Sequence, residues 1–208
     1  MIRALKATAR RIHRASYLLR GRLIRPSLPK NADGRILIHL GCGEVNSPGF
    51  INVDARPLPH VHHVCDVTDL AVFPDNHADL VYACHVLEHI EPGKIQPVLC
   101  EWKRVLKPGG VLRISVPDFD SLLAVYEACD RDPDSIRTPL MGYRDGYDSH
   151  LAIFTYDYLA RILREVGFKD IRRWDPAKVD NHDFEDWASR RISWKNSEFH
   201  ISLNVEAS

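Results

Sequence analysis

From residue 35 onward, apolar positions fall into short runs separated by glycine, proline and acidic residues. Residues 36–40 are a β-branched and leucine-rich run between Gly34 and Gly41, the pattern of a strand buried on both faces, and they are expected to form the central strand. Further runs at 50–53, 61–65, 78–84, 111–116, 168–174 and 199–205 read as strands, and in the last Ile201, Leu203 and Val205 alternate inward. Helical spacing covers 95–106, 119–129 and 155–166; Lys107-Pro108-Gly109-Gly110 stops the first, and Thr155 and Gly167 bracket the third. Strands alternating with helices predict an α/β, doubly wound, mostly parallel sheet of seven strands. One connection is too short for that plan. Only about nine residues join Gly41 to Phe50, whereas a crossover between parallel strands takes about a dozen or more. The first crossover helix is therefore short or absent, which leaves one sheet face in need of cover.

Residues 1–30 carry a different pattern. Ile2, Leu5, Ala9, Ile12, Leu19 and Leu23 line one helical face, so the segment is predicted to be a basic amphipathic helix ended by Gly21 or Pro26. Three readings compete: packing on the sheet of 31–208, lying on an anionic membrane surface through residues 1–25, and serving as an organellar presequence. Packing on the domain, its own or that of a second copy in a homodimer, is the expectation. Two polar stretches, 130–150 and 175–198, read as insertions, the second carrying Trp187 and Trp194.

Composition narrows the class. The 208 residues are 45% hydrophobic and 27% charged, enough for one substantial core and without an apolar run of membrane-spanning length. Five irregularly spaced cysteines do not suggest a disulfide framework, so a cytoplasmic location is expected, with membrane association at the inner face if residues 1–25 bind lipid. Nine of the 28 Lys and Arg fall within residues 1–30, which hold no acid; the remaining 19 face 28 acidic residues. That balance opposes binding a nucleic-acid backbone.

The candidate chemistry starts at Gly41-Cys42-Gly43, where two glycines let the backbone turn at a strand end and approach a ligand. Asp54 ends the next strand, where a carboxylate can accept hydrogen bonds from ribose hydroxyls. The strings LGCG, PGFINVD, FPDN, HVLEHI, EWKRVLKPGG and ISVPDF follow in order from Leu40 to Phe119. In this the chain resembles the class I S-adenosylmethionine (SAM) dependent methyltransferases, specifically a small bacterial group. The resemblance runs from about Arg35 to the C-terminal region and includes the later strings HDFEDW and ISLNVEA. It implies a Rossmann-like sheet, SAM as cofactor and S-adenosylhomocysteine as product. It places the cofactor against Leu40, Gly41, Cys42, Gly43, Asp54, Asp66, Val67, Cys84 and His85, with Asp66 toward the adenine amino group. Asp66 can equally cap a turn through Thr68 and Asp69.

Displacement at a sulfonium methyl needs alignment above all, and a base only for an acceptor such as a hydroxyl. His85, His150 and His182 are the candidate bases, with His89 weaker; Asp118 either orients the acceptor or caps the helix that follows it. His60, His62, His63 and Cys65 hint at zinc, but on a strand the first two face opposite to the last two, and no metal is expected. Two functional classes follow: a methyltransferase for a small-molecule or glycan acceptor, a sugar hydroxyl first, in keeping with the polysaccharide associations of the resembled group; or a non-catalytic nucleoside-binding or partner-docking domain.

Overall fold

The computed structural model describes residues 25–143, 148–194 and 196–208. The predicted N-terminal helix, with Ile2, Leu5, Ile12, Leu19 and Leu23, lies outside them.

The strands are β1 (Leu37–Leu40), β2 (Phe50–Asp54), β3 (His63–Val64), β4 (Ala78–Cys84), β5 (Leu106–Pro117), β6 (Ile171–Arg173), β7 (Arg191–Trp194), β8 (Ser197–His200) and β9 (Ser202–Ala207). The α-helices are α1 (Ile95–Val105), α2 (Phe119–Ala128), α3 (Arg137–Met141) and α4 (Tyr156–Val166). Seven strands form one sheet in the order β3-β2-β1-β4-β5-β9-β6, while β7 and β8 pair separately as a hairpin. The pairs from β3 to β5 are parallel, and β9 runs antiparallel to both β5 and β6. The expected doubly wound, mostly parallel architecture is therefore present.

Several expectations need correction. The middle strand is β4, and β1 stands beside it. The third strand keeps only two of its five expected residues, because its neighbours His60 and His62 turn instead to satisfy Gly43 and Asn52. Residues 107–110 do not merely end α1: Lys107 to Gly110 continue as the start of β5, with a register shift opposite Ala78–Leu80 and Gly109 at φ +78°. The expected strand at 199–205 is two strands, since Phe199 belongs to the hairpin and the main sheet resumes at Ser202. The 130–150 insertion buries more than its polarity suggested, for Ile136 packs with Leu122, Val125, Cys129 and Ile201.

Strand alternation gives the sheet two unlike faces. Ile38, Leu40, Val53, Val81, Ile114 and Leu203 point into the main apolar core, where α1 and α4 supply Leu99, Trp102, Leu159 and Leu163. Thr155 Oγ1 accepts the Tyr158 N–H at 3.3 Å to start α4, and Gly167 ends it at φ +97°. The other face is aromatic and polar: His39 and Tyr82 lie under Phe184, and Arg113 and Ser115 lie opposite Glu206 and Asn204.

No helix joins β1 to β2 among the described residues, as the short connection required. Cover for the polar face comes from residues 174–188: Trp174 at the end of the expected strand and the first part of the 175–198 insertion. Trp174, Phe184 and Ala188 pack on Leu37, Phe50 and Tyr82. Tyr82 Oη donates to Asp186 Oδ2 at 2.5 Å, Asn204 Nδ2 to the Ala188 carbonyl at 3.0 Å, and Arg113 Nη1 to the Asp180 carbonyl at 3.0 Å. Arg113 also donates twice to Glu206 Oε1, at 2.9 and 2.7 Å, while Arg172 takes Oε2. A polar face is covered by a segment able to meet its hydrogen bonds.

Candidate active site at the strand ends

The carboxyl ends of β1, β2 and β4 lie side by side because these strands are adjacent and parallel. In a doubly wound sheet this is the ligand crevice. Gly41 and Gly43 both take left-handed backbone, at φ +61° and +56°. A Cβ on Gly41 would stand 2.5 Å from Val86 Cγ2, and one on Gly43 would meet Arg56 Nη2 at 3.3 Å. These glycines hold the loop against its neighbours, which is a stronger requirement than a free turn.

Asp54 organises that loop. Its Oδ2 accepts the Gly43 N–H at 2.8 Å, and Oδ1 accepts Arg56 N–H at 2.8 Å and Nε–H at 3.1 Å. Three of about four acceptor positions are thus engaged within the protein, so a ribose must share the carboxylate or displace Arg56. His60 Nε2 donates to the Gly43 carbonyl at 2.9 Å. Neither Arg56 nor His60 was singled out as a cofactor contact from sequence; an arginine two residues past the strand-end acid was the available signal.

The remaining cofactor candidates divide by exposure. Leu40 and Cys42 are buried, and burial, then Asp54, pushes the Cys42 thiol far above its ordinary range. They shape the loop from below. Asp66 is exposed, its Oδ1 accepts the Thr68 N–H at 2.9 Å, and Asp69 N–H bonds its carbonyl at 3.1 Å. The turn role is therefore present, with Oδ2 left for a ligand. Val67 gives its carbonyl to Trp102 Nε1 at 2.8 Å. Cys84 ends β4 with its thiol raised by burial and by Asp186.

His85 follows at φ +53°, a left-handed conformation that histidine adopts more readily than most side chains. Ser202 Oγ donates its hydrogen to the Trp187 carbonyl at 2.7 Å, so toward His85 Nε2, at 2.9 Å, it can only accept. His85 therefore carries hydrogen on Nε2, and its Nδ1 faces Glu88 Oε1 at 3.1 Å. Glu88 is fully buried; burial pushes its carboxyl up, but His85 and His89 outweigh this and hold it below the usual range. His150 Nε2 lies 4.0 Å from the same oxygen, and burial lowers its proton affinity against the pull of Glu88.

The structure thus brings His85, His89 and His150 together around Glu88. Glu88 was visible in HVLEHI, where it follows His85 by three positions, and Ser202 in ISLNVEA, yet neither was assigned a role. His182 stands elsewhere. It is buried among Tyr82, Trp174 and Phe184 on the polar sheet face, 3.6 Å from Asp186, with its proton affinity lowered by burial. Asp118 occupies the N-cap position of α2 without a side-chain cap bond; its Oδ2 accepts from Ser121 Oγ at 3.1 Å, and Arg173 is 3.7 Å away. Among the described residues, His60, His62, His63 and Cys65 form no joint ligand set, since His62 Nδ1 accepts the Asn52 N–H and His63 packs on Phe73.

Comparison with known proteins agrees with this layout. A family described as a methyltransferase domain matches residues 40–114. Over 99 residues the chain is 28% identical to tRNA N(3)-cytidine methyltransferase METTL2 of Bos taurus, covering 44% of this chain but only 26% of that protein. A SAM-dependent methyltransferase from Archaeoglobus fulgidus superposes with a TM-score of 0.51 at 18% identity, over 100% of this chain and 94% of the other. Another from Thermotoga maritima, described as a possible histamine N-methyltransferase, gives 0.51 at 14% identity, over 99% and 96%. Human N-acetylserotonin methyltransferase, in complex with SAM, gives 0.51 at 16%, over 83% and 47%. The matched segment holds the glycine loop, Asp54 and His85, and the fold is the Rossmann-like one of these SAM-dependent methyltransferases.

Proposed function

We propose that this protein transfers the methyl group of SAM to a hydroxyl of a small-molecule or glycan acceptor, a sugar hydroxyl being the first candidate. The observation that carries this reading is His85. It sits at the end of β4, adjoining Val86 and the Gly41 turn that Val86 packs against, with its tautomer set by Ser202 and with Glu88 behind it. Gly41 and Gly43 turn the backbone at the end of β1 in left-handed conformations that a side chain would obstruct, and Asp54 retains acceptor capacity for a ribose. SAM supplies a methyl already activated by its sulfonium, so the chain has mainly to align the acceptor and exclude water.

A hydroxyl must also lose a proton, and this favours the cluster. His150, whose proton affinity burial lowers, is able to take that proton, with His85 held beside it between Ser202 and Glu88. His182, enclosed in the aromatic layer, is better suited to holding residues 174–188 on the sheet. The tRNA acceptor of the cytidine methyltransferase does not carry over, because the alignment covers only 44% of this chain and 26% of that protein, while acceptor selection is expected from 130–150 and 175–198.

The test is release of S-adenosylhomocysteine from SAM in the presence of mono- and oligosaccharide acceptors. His85→Asn and His150→Asn are each expected to lower turnover about 10²- to 10⁴-fold with little change in SAM affinity. SAM binding without turnover on any acceptor would favour the alternative, a nucleoside-binding or docking domain.

A further inference from the structure

Among the described residues, Glu88 is a buried carboxylate with both oxygens unsatisfied. Its side chain has no exposure, and neither oxygen has a hydrogen-bond partner of good geometry. Backbone N–H groups are close by, but they go elsewhere: Leu151 and Ala152 bond the Glu88 carbonyl at 2.7 and 3.0 Å. Those two bonds fix residues 149–152 against the turn that carries Glu88 and His89. What the carboxylate faces instead is imidazole, on more than one side.

We propose that Glu88, His89 and His150 bind a divalent first-row transition-metal ion. Their ligand atoms already lie within 4.8 Å of one another. Metal–ligand bonds of about 2.1 Å place donors roughly 3 to 4.2 Å apart, so small side-chain rotations complete the site. The outer hydrogen bonds are those of a ligand set. His89 Nδ1 donates to the Ser149 carbonyl at 3.1 Å, which leaves the Nε2 lone pair for an ion and fixes the ring. Asp148 Oδ1, 3.8 Å from that Nε2 and on the half-open side, offers a further oxygen and a route of entry. Two imidazoles with a carboxylate suit Zn²⁺, Co²⁺, Fe²⁺ or Mn²⁺ better than Mg²⁺ or Ca²⁺, which prefer all-oxygen sites. A cation here supplies the charge that the buried carboxylate otherwise lacks at good geometry.

The ion site borders His85, whose Nδ1 is directed at the same Glu88 oxygen. If the methyltransferase reading holds, an acceptor hydroxyl reaching the ion would lose its proton more readily to a solvent base, and with the ion bound His150 would act as ligand rather than as base. The ion site itself does not depend on that reading.

The experiment uses the full, untagged chain, stripped with a chelator and titrated with Co²⁺ and then Zn²⁺. One equivalent of Co²⁺ is expected to give the visible bands of a nitrogen- and oxygen-ligated ion, with Zn²⁺ displacing it. Glu88→Gln and His150→Ala are expected to weaken binding at least about 10-fold, and His77→Ala, outside the cluster, to leave it unchanged. Thermal melting of each variant establishes that it is folded. A wild-type spectrum that stays that of the hydrated ion overturns the proposal without any variant, as does wild-type affinity in folded Glu88→Gln and His150→Ala proteins. SAM binding is measured on the same samples; its loss with Co²⁺ binding intact would count against the methyltransferase reading alone.

Discussion

Replacing Gly41 by alanine should be one of the costliest single-methyl additions in the domain. At φ +61° an L-residue carries a conformational cost of about 1–2 kcal/mol. The new Cβ would also stand 2.5 Å from Val86 Cγ2, and Val86 is itself buried, so it has little room to retreat. Overpacking of this kind adds about 1–3 kcal/mol, which brings the total to roughly 2–5 kcal/mol. That is a large share of the roughly 5–15 kcal/mol by which a domain is stable. Val86→Ala removes the obstructing methyl at a cost of about 1.6 kcal/mol for two carbons. The double variant should therefore be less destabilised than the sum of the singles by about 1–3 kcal/mol, leaving mainly the backbone term. Urea unfolding of the four proteins measures this coupling directly. Strict additivity, or a Gly41→Ala cost below about 1 kcal/mol, would refute the idea that Val86 is what requires glycine there.

Other outcomes follow from the same structure. Asp54→Ala should weaken SAM binding by about 10- to 150-fold in calorimetry, through loss of an ionised acceptor worth about 1.5–3 kcal/mol. Glu206→Gln leaves buried Arg113 without its ion-pair partner and should cost about 3–5 kcal/mol in urea unfolding, whereas joint replacement of Arg113 by Met and Glu206 by Leu should be much milder. His39, 1% exposed, has its pKa pushed down to about 3 by burial, then by His182 and His60. Since the unfolded chain takes up this proton below pH 6.5 and the folded protein does not, stability contributed by neutral His39 is complete above pH 6.5 and falls as pH drops toward 3. The loss is about 2 kcal/mol by pH 5, and His39→Leu should flatten urea midpoints measured between pH 7 and 5.

The strands that carry the glycine loop were legible because each is a short apolar run punctuated by glycine or an acid, a local signal. The shortened β1–β2 connection was legible for a similar reason: too few residues stood between two clear strands. What covers the exposed face was not. Residues 174–188 are attached by Tyr82–Asp186, Asn204–Ala188 and Arg113–Asp180 bonds, and polar long-range pairs leave no periodicity to read. The split at Ile201 was hidden because its alternation with Leu203 and Val205 persists across the change of sheet. His85 and His150 could be picked out singly, but their meeting depends on Glu88, whose carbonyl holds residues 151 and 152 in place. His182 resembled them in sequence but packs on Tyr82, in the aromatic layer away from Glu88.

The position of β9 has a consequence for how the chain reaches its native state. This strand is buried throughout and lies between β5 and β6, yet it is the last strand of the sheet to leave the ribosome. Until residues 202–207 emerge, β5 presents an open hydrogen-bonding edge with Leu112, Ile114 and Val116 beside it. Such an edge is a template for pairing with other chains. The nascent protein therefore carries an open edge from the completion of β5 until β9 emerges, and the same strand that closes the edge also delivers Ser202 to His85. Fixing of the His85 ring and closure of the sheet edge arrive together, in one late step.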